Sequence, residues 1–93
     1  MRTIERTSRF KKDFRRETRG RHGKTLRLEF VEVVTRLASD RPLETRHRDH
    51  ALSGNWSDHR DCHLRPDLVL IYRLEGAGRL QLVRLGSHSE LGL

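Results

Sequence analysis

The chain has 93 residues, of which 33% are hydrophobic and 35% are charged, and 20 Lys and Arg against 13 Asp and Glu give a formal net charge of +7. A chain this short is expected to form one domain, residues 1–93, with a thin core of mainly Leu and Val, and its single cysteine, Cys62, excludes an internal disulfide and a cysteine-based zinc cage. No stretch approaches the roughly 20 apolar residues of a membrane span and the N-terminus lacks a signal-peptide core, so we expect a cytoplasmic protein without a membrane partner.

The chain begins with the pattern of a short strand followed by a helix. Residues 3–6, TIER, are typical of an edge strand. Phe10 and Phe14 lie four residues apart among basic residues, and this spacing predicts a short amphipathic helix over 8–19. Ser8 is the candidate N-cap of that helix.

A second helix is predicted after the glycines Gly20 and Gly23. Residues 24–40 carry apolar side chains at helical spacing, and Pro42 ends the run. Two helices joined by a glycine turn form an antiparallel hairpin, whose exposed sides are here largely Arg and Lys. The apolar positions are Leu26, Phe30, Val33, Val34 and Leu37.

The remaining sequence predicts a loop and three strands. Residues 42–54 are polar and irregular, and residues 56–65 alternate in character. The strongest strand pattern is LVLIYRL, 68–74, and a glycine-rich turn, 75–78, leads back into the strand 79–86. The order strand, helix, helix, strand, strand, strand predicts a two-layer α+β domain, with the helical hairpin on one face of an antiparallel sheet.

The segment 56–65 combines core and polar positions. If it forms one strand, alternation places Trp56, Cys62 and Leu64 on one face, and Cys62 is then a small core residue. The opposite face would carry His59, Asp61 and His63.

The hairpin geometry predicts a cluster of titratable side chains at one end of the sheet. If 75–78 close a hairpin, Asp67 lies level with about Gly86 and His88 lies just beyond. The turn at Pro66 holds His63 near Asp67. The residues expected to converge are therefore His63, Asp67 and His88, with His50 closing over them from the preceding loop.

Such a cluster favours acid/base chemistry on a polyanion. Imidazole exchanges protons near neutral pH, and two imidazoles on opposite sides of a phosphodiester can act as base and acid. A carboxylate can orient them, arginine can stabilise the charged transition state, and RNA supplies its own 2′-hydroxyl nucleophile. The excess of arginine also favours a nucleic acid partner, ahead of an acidic protein or an anionic membrane.

Other interpretations of the histidines stay open at this point. Imidazole and carboxylate also bind zinc, manganese or iron, although the chain contains no HExxH motif and no pair of cysteines. The cluster could also be no more than a polar loop. His22 and His47 are predicted to be surface residues without a chemical role.

Three motifs, RDHALSGNW, HRDCHLRPDLVLIY and RLGSHSEL, together resemble the YafQ branch of the RelE-type toxins of bacterial toxin–antitoxin pairs. The likeness runs from about residue 42 to the end, and the helical hairpin stands in the expected place. The resemblance implies one RelE-like toxin domain with β-α-α-β-β-β order. It also implies a ribosome-dependent endoribonuclease that cuts mRNA in the A site, without metal or cofactor, through attack of the 2′-hydroxyl.

The resemblance also implies the catalytic residues. By the family pattern, His50 is the general base and His88 the general acid, while His63 and Asp67 position them or support the transition state. We expect contacts with RNA or the ribosome from basic residues: Lys11, Lys12, Arg15, Arg48, Arg65 and Arg84. The chain departs from the pattern at Leu68, where the family has tryptophan, and at Gly92 and Leu93, where it has a terminal aromatic; these positions bear on codon preference and cleavage rate.

The implied partners are the ribosome with its mRNA and a cognate antitoxin. The antitoxin is expected to be a ribbon-helix-helix DNA-binding protein whose tail wraps the toxin, so that operator DNA is bound only through the complex. Three alternatives remain: a ParE-like gyrase poison, a non-catalytic RNA- or antitoxin-binding module, and a metal-dependent hydrolase.

Overall fold

A computed structural model describes residues 1–20 and 23–93 and has the predicted α+β architecture. The helices are α1 (Ser8–Thr18), α2 (Gly23–Ala38) and the single turn α3 (His88–Leu91). The strands are β1 (Thr3–Arg6), β2 (His50–Ala51), β3 (Arg60–Arg65), β4 (Leu68–Glu75) and β5 (Arg79–Gly86). They form one sheet in the order β1-β5-β4-β3-β2. Short 3-10 turns, Thr45–His47 and Gly54–Trp56, lie on either side of β2.

The sheet differs from the prediction in two respects. The predicted edge strand β1 is indeed at the edge, but it runs parallel to β5, so the sheet is mixed rather than wholly antiparallel. In addition, the segment expected to be only a loop contains β2, which pairs His50 with Asp61 and Ala51 with Arg60 of β3. A two-residue strand is too short to show alternation, and strand direction depends on the crossover through the helices, which side-chain periodicity does not record.

Both predicted helices are present, with one change at a cap. Thr7, not Ser8, caps α1: its hydroxyl accepts a hydrogen bond from the Phe10 amide at 3.0 Å and donates one to the Val83 carbonyl at 2.8 Å. At the start of α2, a Cβ on Gly23 would lie 2.0 Å from the Thr18 carbonyl oxygen, so only glycine allows this approach of the two helices. Within the part of the chain that the structure describes, no helix is long and apolar enough to cross a membrane. His22 lies outside the described residues.

The main core lies between the helical hairpin and one face of the sheet. Phe10, Phe14 and Phe30 form an aromatic cluster with ring centroids 4.7 to 5.8 Å apart. Cys62 and Leu64 face this core from β3, as the alternation predicted. The other buried members are Leu26, Val33, Val34, Leu37, Ala38, Leu68, Leu70, Tyr72, Leu80, Leu82 and Leu85.

The opposite face of the sheet carries a second, smaller core. Val69, Ile71 and Leu91 are buried there, and Trp56 packs against them. The expectation that Trp56 shares a face with Cys62 is therefore wrong. Asp58 adopts a left-handed conformation, φ 70°, which separates Trp56 from the start of β3 at Arg60 and interrupts the alternation.

A bulge in β5 sets the relation between the ends of β4 and β5. Tyr72 pairs with Leu82, but Ile71 pairs with Arg84, so Val83 is an additional residue on β5. Val69 is consequently opposite Gly86. Continued by two residues, this register brings Asp67 level with His88 rather than with Gly86. One residue of this difference comes from the bulge and the other from the turn, where Leu74 pairs with Leu80 instead of Arg79.

Candidate active site

Three histidines meet on the sheet face that carries the smaller core. The ring centroids of His50 and His63 are 6.5 Å apart, and those of His63 and His88 are 5.0 Å apart. Asp67 contacts His88 directly, with 2.7 Å between a carboxylate oxygen and Nδ1. The structure thus brings together all four residues that the sequence nominates. His59 lies outside β3, with its ring against Trp56 at 5.3 Å between centroids.

His50 is held on β2 by the backbone of a strained neighbour. Its Nδ1 lies 2.6 Å from the carbonyl oxygen of Arg48, whose left-handed conformation, φ 46°, turns the chain at this point. A carbonyl can only accept, so Nδ1 carries the proton and Nε2 of the neutral ring has the free lone pair. This tautomer is the one that a general base requires.

Asp61 is a site residue that the sequence prediction did not include. It is directly opposite His50 in the β2–β3 pairing, and its Oδ1 lies 3.1 Å from Nδ1 of His50. The side chain is 3% exposed and Oδ1 has no hydrogen-bond donor among the described residues. Burial raises the pKa of the Asp61 carboxyl, and this effect outweighs the lowering of the pKa by positive charge on His50, His63 and His88. Alternation with His63 along β3 was the signal that could have identified it.

His63 lies deeper in the site than the other two histidines. The residue is 9% exposed, and burial lowers the pKa of its imidazole, so the ring is neutral at pH 7. Its backbone carbonyl accepts a hydrogen bond from Nδ1 of His47 at 2.7 Å. His47 is 5% exposed, so the prediction that it is a surface residue is wrong; it fixes the strand segment that carries His63.

His88 and Asp67 form a hydrogen-bonded pair at the rim. His88 donates to one oxygen of Asp67 both from Nδ1, at 2.7 Å, and from its backbone amide, at 3.1 Å. These hydrogen bonds lower the pKa of Asp67, which is therefore a carboxylate at neutral pH. Ser87 and Glu90 form a capping box around the start of α3 and fix the backbone of His88.

A basic groove begins beside His63. It has a volume of about 540 Å³ and is lined by Arg46, Arg48 and Arg65 together with His47 and His63. Arg65 is paired with Glu29 through two contacts of 3.2 Å, whereas Arg48 is exposed. Two of the six nominated basic residues, Arg48 and Arg65, therefore lie at the site.

The other nominated basic residues lie elsewhere. Lys11, Lys12 and Arg15 are exposed on α1. Arg84 is different, because its guanidinium is held at 2.7 Å by the buried carboxylate of Asp13 and its side chain is only 14% exposed. Arg84 thus serves the contact between α1 and β5, and we do not propose it as an RNA contact.

The geometry also bears on two other chemistries, a cysteine nucleophile and a metal site. The thiol of Cys62 is fully buried and burial raises its pKa far above the usual range, so it is not a nucleophile at neutral pH. Across residues 1–20 and 23–93, no three His, Cys, Asp or Glu side chains are arranged to hold a metal ion together.

Comparison with known proteins connects this chain with a toxin family. The family model described as the bacterial toxin of type II toxin–antitoxin system, YafQ, matches residues 2–92. The mRNA interferase toxin YafQ of Escherichia coli K12 is 32% identical over 90 residues, which are 97% of this chain and 95% of that protein. The E. coli DinJ–YafQ complex contains a chain with 33% identity and a TM-score of 0.83, with 98% of each chain covered. A metal-bound toxin from Helicobacter pylori has 42% identity and a TM-score of 0.87, with 98% of this chain and 99% of that chain covered.

Proposed function

Because the chain belongs to the YafQ family of bacterial type II toxins, we propose that it is an mRNA interferase that cleaves mRNA in the ribosomal A site without metal or cofactor. The observation that carries the proposal is the meeting of three imidazoles whose hydrogen-bond partners differ. One ring is held by a backbone carbonyl and another by a carboxylate. Groups that are chemically alike but held in different environments are suited to opposite roles in proton transfer.

The proposed reaction needs one base and one acid. His50, with the proton on Nδ1, accepts the proton of the 2′-hydroxyl at Nε2 while the 2′-oxygen attacks the adjacent phosphorus. The bond from phosphorus to the 5′-oxygen breaks, and His88, held by Asp67, donates a proton to that oxygen. The products are a 2′,3′-cyclic phosphate and a free 5′-hydroxyl. The step balances, because His50 gains one proton and His88 loses one while one P–O bond forms and another breaks.

His63 and Arg48 are proposed to support the charge that develops on the phosphate. His63 is neutral because burial lowers its pKa, and a neutral imidazole can donate one hydrogen bond to a phosphate oxygen. Arg48 is exposed at the mouth of the same groove and supplies a guanidinium for the RNA backbone. We propose that the exposed residues Lys11, Lys12 and Arg15 on α1 contact the ribosome.

Removing the Arg48 side chain is expected to weaken RNA binding at the site. Arg48→Ala keeps a Cβ, so the backbone strain is unchanged, and the loss of one charged phosphate contact should lower affinity for a short RNA about tenfold. The variant in which Lys11, Lys12 and Arg15 are all alanine is the matched control. This control should bind the short RNA as the wild type does but cleave ribosome-bound mRNA more slowly. If Arg48→Ala bound the short RNA as tightly as the wild type, Arg48 would not be an RNA contact.

The proposal includes a partner that neutralises the toxin. A related E. coli YafQ is found in a complex with DinJ. For this chain we propose a cognate ribbon-helix-helix antitoxin with an acidic or amphipathic tail, matched to a toxin of net charge +7. Operator DNA is bound only through that complex, and the toxin acts in the cytoplasm, where ribosomes and mRNA meet.

The decisive experiment is to induce the wild type and a His50→Ala, His88→Ala double variant in a bacterial host and to map mRNA 5′ ends. We expect codon-phased 5′-hydroxyl ends with the wild type and none with the double variant. On purified ribosomes, the toxin should cleave the bound mRNA equally fast in the presence and in the absence of a chelator. Growth arrest without new mRNA ends would instead support a gyrase poison, and loss of cleavage with chelator would support a metal-dependent hydrolase.

A further inference from the structure

Asp61 is a buried carboxylate that the fold does not satisfy. Its side chain is 3% exposed, and Oδ1 receives no hydrogen bond from any described residue. A buried polar oxygen without a donor opposes folding, and native proteins contain few of them outside functional sites. Asp61 lies on β3, between β2 and β4, and its unsatisfied carboxylate there indicates a role other than stabilising the fold.

The neighbouring base explains why Oδ1 has no donor. Nδ1 of His50 has one proton and two possible acceptors: the Arg48 carbonyl at 2.6 Å and Asp61 Oδ1 at 3.1 Å. The proton is directed to the carbonyl, so the carboxylate lies beside the ring without being bonded to it. The other titratable groups that face Asp61 are His63 on β3, His88 on α3 and Asp49 next to His50.

We propose that Asp61 is a positioning residue for His50 that stabilises the imidazolium formed when this ring takes the proton of the 2′-hydroxyl. The inference rests on the proposed function, in which His50 is the base. Once Nε2 is protonated, the ring carries a full positive charge 3.1 Å from a buried carboxylate. The attraction is weak before proton transfer and strong after it, so it favours the transition state over the ground state.

The test uses Asp61→Asn, which keeps the shape and removes the charge. We expect the rate constant of cleavage to fall about 10- to 100-fold, with KM changed less than twofold and with the acid limb of the pH–rate profile moved to lower pH. Asp58→Asn is the matched control, because Asp58 is an exposed carboxylate in the preceding turn and asparagine tolerates its left-handed backbone. It should leave the rate and the profile unchanged.

Thermal unfolding shows whether Asp61→Asn acts through the fold. Burial raises the pKa of Asp61, so the folded chain binds the proton more tightly than the unfolded chain, and the ionised carboxylate opposes folding as the pH rises. The Asn variant should therefore have a Tm at pH 7 no lower than that of the wild type. A lower Tm together with lower activity would indicate a structural role and overturn the inference.

A second measurement needs no RNA. In a double-mutant cycle of His50→Gln and Asp61→Asn, the Tm changes should deviate from additivity by several degrees more at about pH 5.5 than at pH 8, because a lower pH favours the charged imidazole. Coupling at low pH without cleavage by the wild type would support the pair and refute the proposed function. Cleavage by Asp61→Asn at the wild-type rate and with the wild-type pH profile would refute the role of Asp61 and leave the function standing.

Discussion

Alanine at His50 or at His88 is expected to slow cleavage of mRNA on the ribosome by about 10²- to 10⁴-fold, the usual contribution of a general base or acid. Both side chains are substantially exposed, at 53% and 40%, so their removal leaves no cavity and the fold should be retained. The two residues act in one proton-transfer step, so the double variant should be little slower than the slower single variant. Single-turnover cleavage of mRNA on purified ribosomes measures the rates.

His59→Ala is the matched control for these variants. It removes an imidazole from the same segment of the chain, but the His59 ring lies against Trp56 and outside the cluster. We expect its cleavage rate to be within about threefold of the wild type. A His88→Ala variant that cleaved as fast as His59→Ala would show that the imidazole at the rim is not the acid, and would favour a non-catalytic binding module.

The largest expected loss of stability comes from Asp13→Ala. The carboxylate is buried and accepts hydrogen bonds from Nε of Arg84 at 2.7 Å and from the Leu85 amide at 3.0 Å. Its removal leaves a guanidinium of 14% exposure without its partner, and breaking a buried pair in this way costs about 3–5 kcal/mol. The free energy of unfolding, measured in urea at pH 7, should fall by that amount.

Glu32→Ala is the control for the buried pair. Glu32 forms an exposed pair with Arg36 at 3.8 Å, and the loss of a pair of that kind changes stability by less than about 1 kcal/mol. A second comparison uses a double variant that combines Asp13→Leu with Arg84→Met. This variant should recover most of the stability and bind RNA normally; reduced RNA affinity in a stable double variant would restore Arg84 to the RNA-contacting set.

The same pair predicts a pH dependence of stability. Burial alone would raise the pKa of Asp13, but the hydrogen bonds from Arg84 and Leu85 and the charges of Arg84 and Arg16 outweigh it, so the pKa is lowered. Stabilisation by the ionised carboxylate is thus present above the usual pKa of an aspartate and is lost as the pH falls through the lowered value. Between pH 7 and pH 3 the wild type should therefore lose more stability than Asp13→Ala does.

Local patterns were sufficient for the elements that extend over several turns or alternations. The helical stripe from Leu26 to Leu37 and the apolar run of β4 repeat their signals, so α2 and β4 lie close to their predicted positions. The hairpin also predicted that His63, Asp67 and His88 converge, since a short turn determines which residues are opposite each other. The bulge at Val83 altered the register by one residue and improved that convergence.

The histidine–aspartate cluster, the α+β class and the family resemblance were all determined by the sequence alone, because each depends on spacing along the chain. Only the tertiary structure decided the partner of each polar group: Arg84 with Asp13, His47 beneath His63, and Asp61 without a donor beside His50. Such partners come from strands and helices far apart in sequence. Burial and the nearest charge, rather than residue type, then determine whether a carboxylate stabilises the fold, as Asp13 does, or is held in an unfavourable state, as Asp61 is.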